Sequence, residues 1–164
     1  MPALFTFAAY SGTGKTTYIE KLIAELSSRG VRVGAIKNDG HDVFEMDKPG
    51  KDSYRFREAG AQIVALRSPT RAMIMSYAPM DAEEITRNMQ NVDIVVSEGY
   101  MAGSGNNICI YRAESGSSLK LPAEECVAIV TDSQIDTGTV PQFPLDEPAK
   151  LADFLVEKIG FKSE

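Results

Sequence analysis

Histidine and cysteine are scarce in this chain. His41 is the only histidine, and Cys109 and Cys126 are the only cysteines. One histidine excludes a His-rich metal site. Two cysteines without CxxC spacing give no zinc or redox motif and read as buried, indifferent thiols. Positive charge is also short: 17 Lys and Arg stand against 23 Asp and Glu, a net charge of -6. That balance disfavours nonspecific nucleic-acid binding, which rests on an excess of Lys and Arg. No apolar run approaches the roughly 18 residues of a membrane span. The opening MPALFTFAAYSG has no basic residue before its apolar stretch. It reads as a buried strand rather than a signal peptide, so a cytoplasmic protein is expected. There is no internal repeat, low-complexity tract or linker. A single domain over residues 1–164 is the expectation, and its core at this length needs no disulfide or metal.

What is present begins with ALFTFAA at residues 3–9, a strand-like apolar run. After a glycine-rich turn, Ile19, Leu22, Ile23 and Leu26 recur at helical spacing. Gly30 is placed to end that helix, and Arg29 suits the negative end of its dipole. VRVGAIK, residues 31–37, is a second strand. The order predicts a right-handed βαβ unit. Residues 38–52 form a long polar loop of the kind a small domain keeps for function. A short helix follows, with Asp52 as N-cap and Gly60 as stop. IVALRS and AMIMSY, residues 63–68 and 72–77, flank a turn at Pro69, Thr70 and Arg71 and predict a hairpin. Asp81 and Glu84 open a helix through Met89 with a capping-box pattern. DIVVSEG, NICIYR and CVAIVTD supply three further strands. Residues 133–144 read as loop, and an amphipathic helix closes the chain. Alternating strands and helices predict an α/β fold of the P-loop NTPase type: a mostly parallel sheet flanked by helices, with an added β-hairpin.

The chemistry concentrates at Ala9-Tyr10-Ser11-Gly12-Thr13-Gly14-Lys15-Thr16. The general phosphate loop is GxxxxGK followed by Ser or Thr, and only its first position is changed. Such a loop needs inward-pointing backbone N–H groups and a helix N-terminus behind them. Gly12 and Gly14 stand where the backbone must curve. Lys15 reaches β and γ phosphates, and Thr16 offers a hydroxyl to Mg²⁺. Alanine at position 9 falls at the hinge between strand and loop, where a methyl is tolerable. Glu98 ends an apolar strand as a Walker B acid does, placed to hold the Mg²⁺ shell or orient a water. Asp47, Lys51 and Asp52 lie in the long polar loop, where P-loop proteins often sense the γ-phosphate; His41 shares that loop. The guanine-reading NKxD element is absent. Asp132 follows a late strand and either accepts from guanine or caps its own loop.

The chain resembles the MobB family, the molybdopterin-guanine dinucleotide biosynthesis B proteins. The resemblance runs through FAAYSGTGKTT, IKNDGHD, DKPGKDSYRFREAGA, VVSEGY, NICIYR and VAIVTD in order. It implies a P-loop α/β fold, a homodimer, GTP with Mg²⁺ and at most slow GTP hydrolysis. It implies work beside MobA, the nucleotidyltransferase that joins GMP to molybdopterin. Residues Gly12 to Thr17 would carry phosphate binding, with Asp47, Lys51, Asp52 and Glu98 lining the site. Alanine at position 9 fits this family. Two departures stand out. The family's KHxHH becomes Lys37-Asn38-Asp39-Gly40-His41, and its EGFK or EGYK becomes Glu98-Gly99-Tyr100-Met101. Methionine carries no charge, so another group such as Arg112 must supply it, or binding is weaker. No arginine finger is evident within the chain; Arg55, Arg57, Arg67 and Arg71 are candidates to act across a dimer, and the hairpin is a candidate dimer surface. An ATP-dependent small-molecule kinase and a non-hydrolysing nucleotide-bound adaptor remain as alternative readings. The kinase would need a basic lid, and residues 113–125 contain only Lys120.

Overall fold

The structure is a computed structural model describing residues 1–45, 47–99, 105–115 and 118–162. The chain forms two compact units, residues 1–38 with 82–164 and residues 39–81.

The larger unit is built on a six-stranded sheet. Its strands in chain order are β1 (Ala3–Ala8), β2 (Val33–Lys37), β5 (Ile94–Glu98), β6 (Asn107–Tyr111), β7 (Cys126–Thr131) and β8 (Gln142–Pro144). The spatial order is β2-β5-β1-β6-β7-β8, and every neighbouring pair is parallel. Parallel strands require crossovers that cover both faces, which explains why β1 and β5 are apolar almost throughout. All of β5 is buried, as is β1 beyond its first residue.

Alternate residues sort onto the two faces. Phe5, Phe7, Ile94, Val96, Ile108, Ile110, Ala128 and Val130 share one core with helices α1 (Lys15–Ser28) and α4 (Pro148–Lys158). α1 contributes Tyr18, Ile19, Leu22 and Leu26, while Ile23 is only half-buried. α4 contributes Leu151, Ala152 and Leu155. Arg29, at the C-cap of α1, also ties the two helices together. Its guanidinium pairs with Asp153 and donates to the Ala149 carbonyl at 3.1 Å. On the opposite face Leu4, Ile36 and Val95 pack with Ala82, Ile85 and Met89 around α3 (Ala82–Asn88). Ala8, Cys109, Cys126 and Ile129 pack there with Leu121.

The second unit holds α2 (Asp52–Glu58) and the antiparallel strands β3 (Ile63–Arg67) and β4 (Ala72–Ser76). Val64 and Met75 are paired across the hairpin and buried. Arg57 of α2 lies over the Tyr77 ring, 4.8 Å from its centroid. On the other face of the hairpin Ile63 and Ile74 are exposed.

Two local expectations are corrected. Lys51, not Asp52, occupies the N-cap of α2. Asp52 is the first helical residue, and its carboxylate lies 3.6 Å from Arg55 one turn on. Residues 142–144, expected in a loop, form the edge strand β8 against β7. Three residues ending in proline are too short to show a period. The order there comes from Gln142, whose amide donates to the Ile135 carbonyl at 2.8 Å and to Thr137 Oγ1 at 3.0 Å. No described helix is long and apolar enough to cross a membrane.

Candidate functional site

The C-terminal ends of β2, β5, β1, β6 and β7 share one edge of the sheet, because all five strands run in the same direction. Ligands of open α/β sheets bind at that edge, where the strand order switches direction. β1 lies between β5 and β6, so the loop that leaves it opens at such a switch point.

That loop is the glycine-rich stretch. Gly12 and Gly14 both have φ near 83°, left-handed conformations that glycine adopts without steric cost. Nothing lies within 4 Å of where a Cβ on Gly12 would be, so backbone conformation, not crowding, requires glycine there. Gly14 is the N-cap of α1 and has no side chain to satisfy the helix's first N–H groups. Orphan N–H groups at a helix start are an anion site. Thr13 is buried, and its hydroxyl donates to the Tyr10 carbonyl at 3.0 Å, bracing the curve from within. Ala9 is half-buried and packs against the main core, so its methyl is accommodated where the general loop has glycine. Ser11, Thr16 and Thr17 are exposed.

Lys15 and Thr16 open α1 and meet Glu98 at the end of β5. Lys15 Nζ lies 3.2 Å from Glu98 Oε1, and Thr16 Oγ1 donates to the same oxygen at 2.8 Å. Glu98 is held at this point by its neighbours on both sides. The Asn38 N–H donates to the Glu98 carbonyl at 3.0 Å, and the Gly99 N–H donates to the Phe7 carbonyl at 3.1 Å. Gly99 has φ 104°, and a Cβ there would come 3.1 Å from Asn38 Cβ. Glycine after the acid is therefore a structural requirement. Glu98 is buried, which by itself would raise its pKa. Hydrogen bonds from Lys37, Thr16 and Lys15, with the charge of Lys15, outweigh that and hold the carboxyl below its usual range.

Lys37 is the residue that sequence reading passed over. Its Nζ lies 2.6 Å from Glu98 Oε1, because Lys37 and Glu98 are in register on β2 and β5. The signals in the sequence were a lysine ending a strand and its place at the head of the stretch that corresponds to the family's KHxHH. Its partner could be found only from the register.

Arg112, just past β6, reaches back to the loop. Its Nε donates to the Thr13 carbonyl at 3.3 Å, and its Nη2 lies 3.6 Å from a Cβ built on Gly14. Lys120 stands over the Tyr10 ring at 4.5 Å from the centroid. Asp132 is exposed, and its Oδ1 accepts from the Ala113 N–H at 2.9 Å. That is loop capping, one of the two roles its position suggested. Tyr100 and Met101 lie outside the described residues.

His41, Asp47, Lys51 and Asp52 belong to the second unit. The His41 N–H donates to Asp39 Oδ1 at 3.1 Å, and Asp39 also accepts from the Val43 and Phe44 N–H groups. Asp47 Oδ1 accepts from the Lys48 N–H at 2.8 Å. Its Oδ2 is buried without a hydrogen-bond partner among the described residues, a state that invites a cation or donor. Among the described residues no group of three or more His, Cys, Asp or Glu could hold a metal ion unaided. A magnesium ion bound through one or two oxygen ligands plus phosphate needs no such cage. The loop, Thr16 and Glu98 fit a nucleotide with its magnesium.

The family model for MobB, "Molybdopterin guanine dinucleotide synthesis protein B", matches residues 4–132. A "Molybdopterin-guanine dinucleotide biosynthesis adapter protein" of Escherichia coli strain K12 is 36% identical over 96% of this chain and 93% of its own length. The protein of the same description from Haemophilus influenzae is 33% identical, over 93% of this chain and 86% of its own. The crystal structure of Bacillus subtilis MobB superposes with a TM-score of 0.74 at 23% identity, over 100% of both chains. Family model, full-length relatives and fold agree, and the chain belongs to the MobB family.

Proposed function

We propose that the chain is an adapter in molybdopterin-guanine dinucleotide biosynthesis that binds GTP with Mg²⁺. The description carried by its relatives supports the pathway. The convergence of Lys15, Thr16 and Glu98 on one point of the sheet edge supports the nucleotide. The N–H groups from Gly12 to Thr17 wrap phosphate, and Lys15 neutralises the β and γ groups. Thr16 and Glu98 would hold the magnesium, Glu98 directly or through water. Magnesium supplies charge neutralisation across the phosphates. Ser11 lies within the phosphate loop, Arg112 flanks it in place of the family lysine replaced at position 101, and Asp132 is the candidate to accept from guanine. Turnover is slow at most, because an arginine finger supplies ~10³–10⁵ in rate and the candidates Arg55, Arg57, Arg67 and Arg71 would have to act across a dimer.

The adapter works with a MobA-type nucleotidyltransferase and with molybdopterin or its guanine dinucleotide form as partners, in the cytoplasm, as a homodimer. The hairpin supports the dimer. Its two-stranded sheet offers its edges for pairing with a partner, and Ile63 and Ile74 are 63% and 73% exposed on the face opposite Val64 and Met75. The reading is tested by titrating GTP and ATP into the protein with and without Mg²⁺. Magnesium-dependent binding that favours GTP upholds it. Equal or tighter ATP binding redirects it to the small-molecule kinase. Single-turnover GTP hydrolysis, with and without the partner enzyme, separates a slow GTPase from an adaptor that does not hydrolyse.

A further inference from the structure

Glu98 Oε1 receives a third donor besides Lys15 and Thr16. Lys37 Nζ lies 2.6 Å from that oxygen, closer than Lys15 at 3.2 Å. The two ammonium groups share one oxygen, so they stand no farther apart than two hydrogen-bond lengths. At that separation both can contact a single phosphate group. They approach from opposite sides: Lys15 from the helix after β1, and Lys37 from the end of β2 beyond β5. The Lys37 side chain is 67% exposed, against 18% for Lys15. Its head can therefore shift without disturbing packing, since a lysine is a flexible stem with a mobile point charge.

We infer that Lys37 is a second phosphate cation, contacting the terminal phosphate of a bound nucleoside triphosphate from the β2 side. This rests on the nucleotide-binding reading of the phosphate loop. The position follows from the neighbours. The loop N–H groups and Lys15 surround the phosphate nearest the helix. Lys37 stands on the Glu98 side, with Thr16, and Glu98 and Thr16 would hold the magnesium of a bound triphosphate. Lys15, Lys37 and Glu98 together carry one positive charge, and a triphosphate that draws both lysines from the carboxylate leaves Glu98 free for the metal. A contact to the terminal phosphate distinguishes triphosphate from diphosphate. A lysine that only steadied Glu98 through the ion pair would weaken both nucleotides alike.

The test is titration of GTP and of GDP, each with Mg²⁺, into the wild type and into Lys37→Ala, Lys37→Arg and Lys15→Ala. Lys37→Ala is expected to weaken GTP binding about tenfold, the scale of one charge-assisted hydrogen bond, and GDP binding less than about twofold. Unchanged GDP binding also shows that the variant is folded. Lys37→Arg is expected to restore most of the GTP affinity, and Lys15→Ala to lose both nucleotides. Equal losses of GTP and GDP in Lys37→Ala, or no loss of GTP, would overturn the inference while leaving the phosphate-loop reading intact. If the wild type binds neither nucleotide, the phosphate-loop reading falls and takes this inference with it.

Discussion

Thr16 and Glu98 are joined by a 2.8 Å hydrogen bond, although 82 positions separate them in the chain. One residue opens the first helix and the other closes the fifth strand. Parallel pairing of β1 with β5, Phe7 opposite Glu98, brings them together. The metal function proposed for this pair predicts that Thr16→Ala binds GTP no better in Mg²⁺ than in EDTA. Calorimetry in the two buffers checks it. A variant that keeps the wild-type magnesium effect would remove Thr16 from the metal.

Gly99 fixes where that carboxylate points. Its φ is 104°, and an added Cβ would meet Asn38 at 3.1 Å. Gly99→Ala is therefore expected to cost at least about 1 kcal/mol in urea unfolding and to weaken GTP binding, through displacement of Glu98. An unchanged midpoint would show that the end of β5 relaxes at no cost.

Arg32 and Asp93 form a fork at the start of β2 and β5, with bonds of 3.0 and 2.6 Å, and the Arg32 N–H adds a third at 2.8 Å. Hydrogen bonds from the Arg32 side chain and backbone hold the Asp93 carboxyl below its usual range, against a small opposing effect of burial. A depressed folded-state pKa contributes stability above the unfolded value, about 3.9, and loses it as pH falls through the folded value. Asp93→Asn is thus expected to melt below the wild type at pH 7. The gap should narrow as pH falls from about 4 toward 2. A gap that stays constant or widens in acid would show that the charge of Asp93 contributes nothing.

Cys109 and Cys126 lie on adjacent strands with their sulfur atoms 3.3 Å apart, and both are buried. The hydrogen bond to Cys109, together with burial, pushes the Cys126 thiol well up. Neither thiol is expected to react with an aromatic disulfide reagent in the native protein, and both should react on unfolding in urea. Rapid native-state labelling would show that the segment covering Cys126 opens easily.

Much of this was legible in the sequence, for reasons that can be named. The phosphate loop, α1 and β2 follow from local signals: two glycines, a helical period and an apolar run. Glu98 was legible because an acid and a glycine end a buried strand. The role of Gly99 was not, since it depends on Asn38 approaching from another strand. Lys37 escaped because its partner lies 61 positions away in sequence and is set by register. Strand β8 escaped because side-chain bonds from Gln142, not a periodic pattern, order it. The proximity of the two thiols was equally hidden, since it depends on a diagonal pairing beside a register shift between β6 and β7.

Nucleotide binding by the phosphate loop is the centre of the account, and calorimetric titration of GTP with Mg²⁺ into the wild type and Lys15→Ala tests it most directly. The account predicts saturable one-site binding by the wild type, weaker binding of ATP, and no measurable heat with Lys15→Ala. Wild-type and variant curves that coincide, or a wild type that binds neither nucleotide, would contradict it.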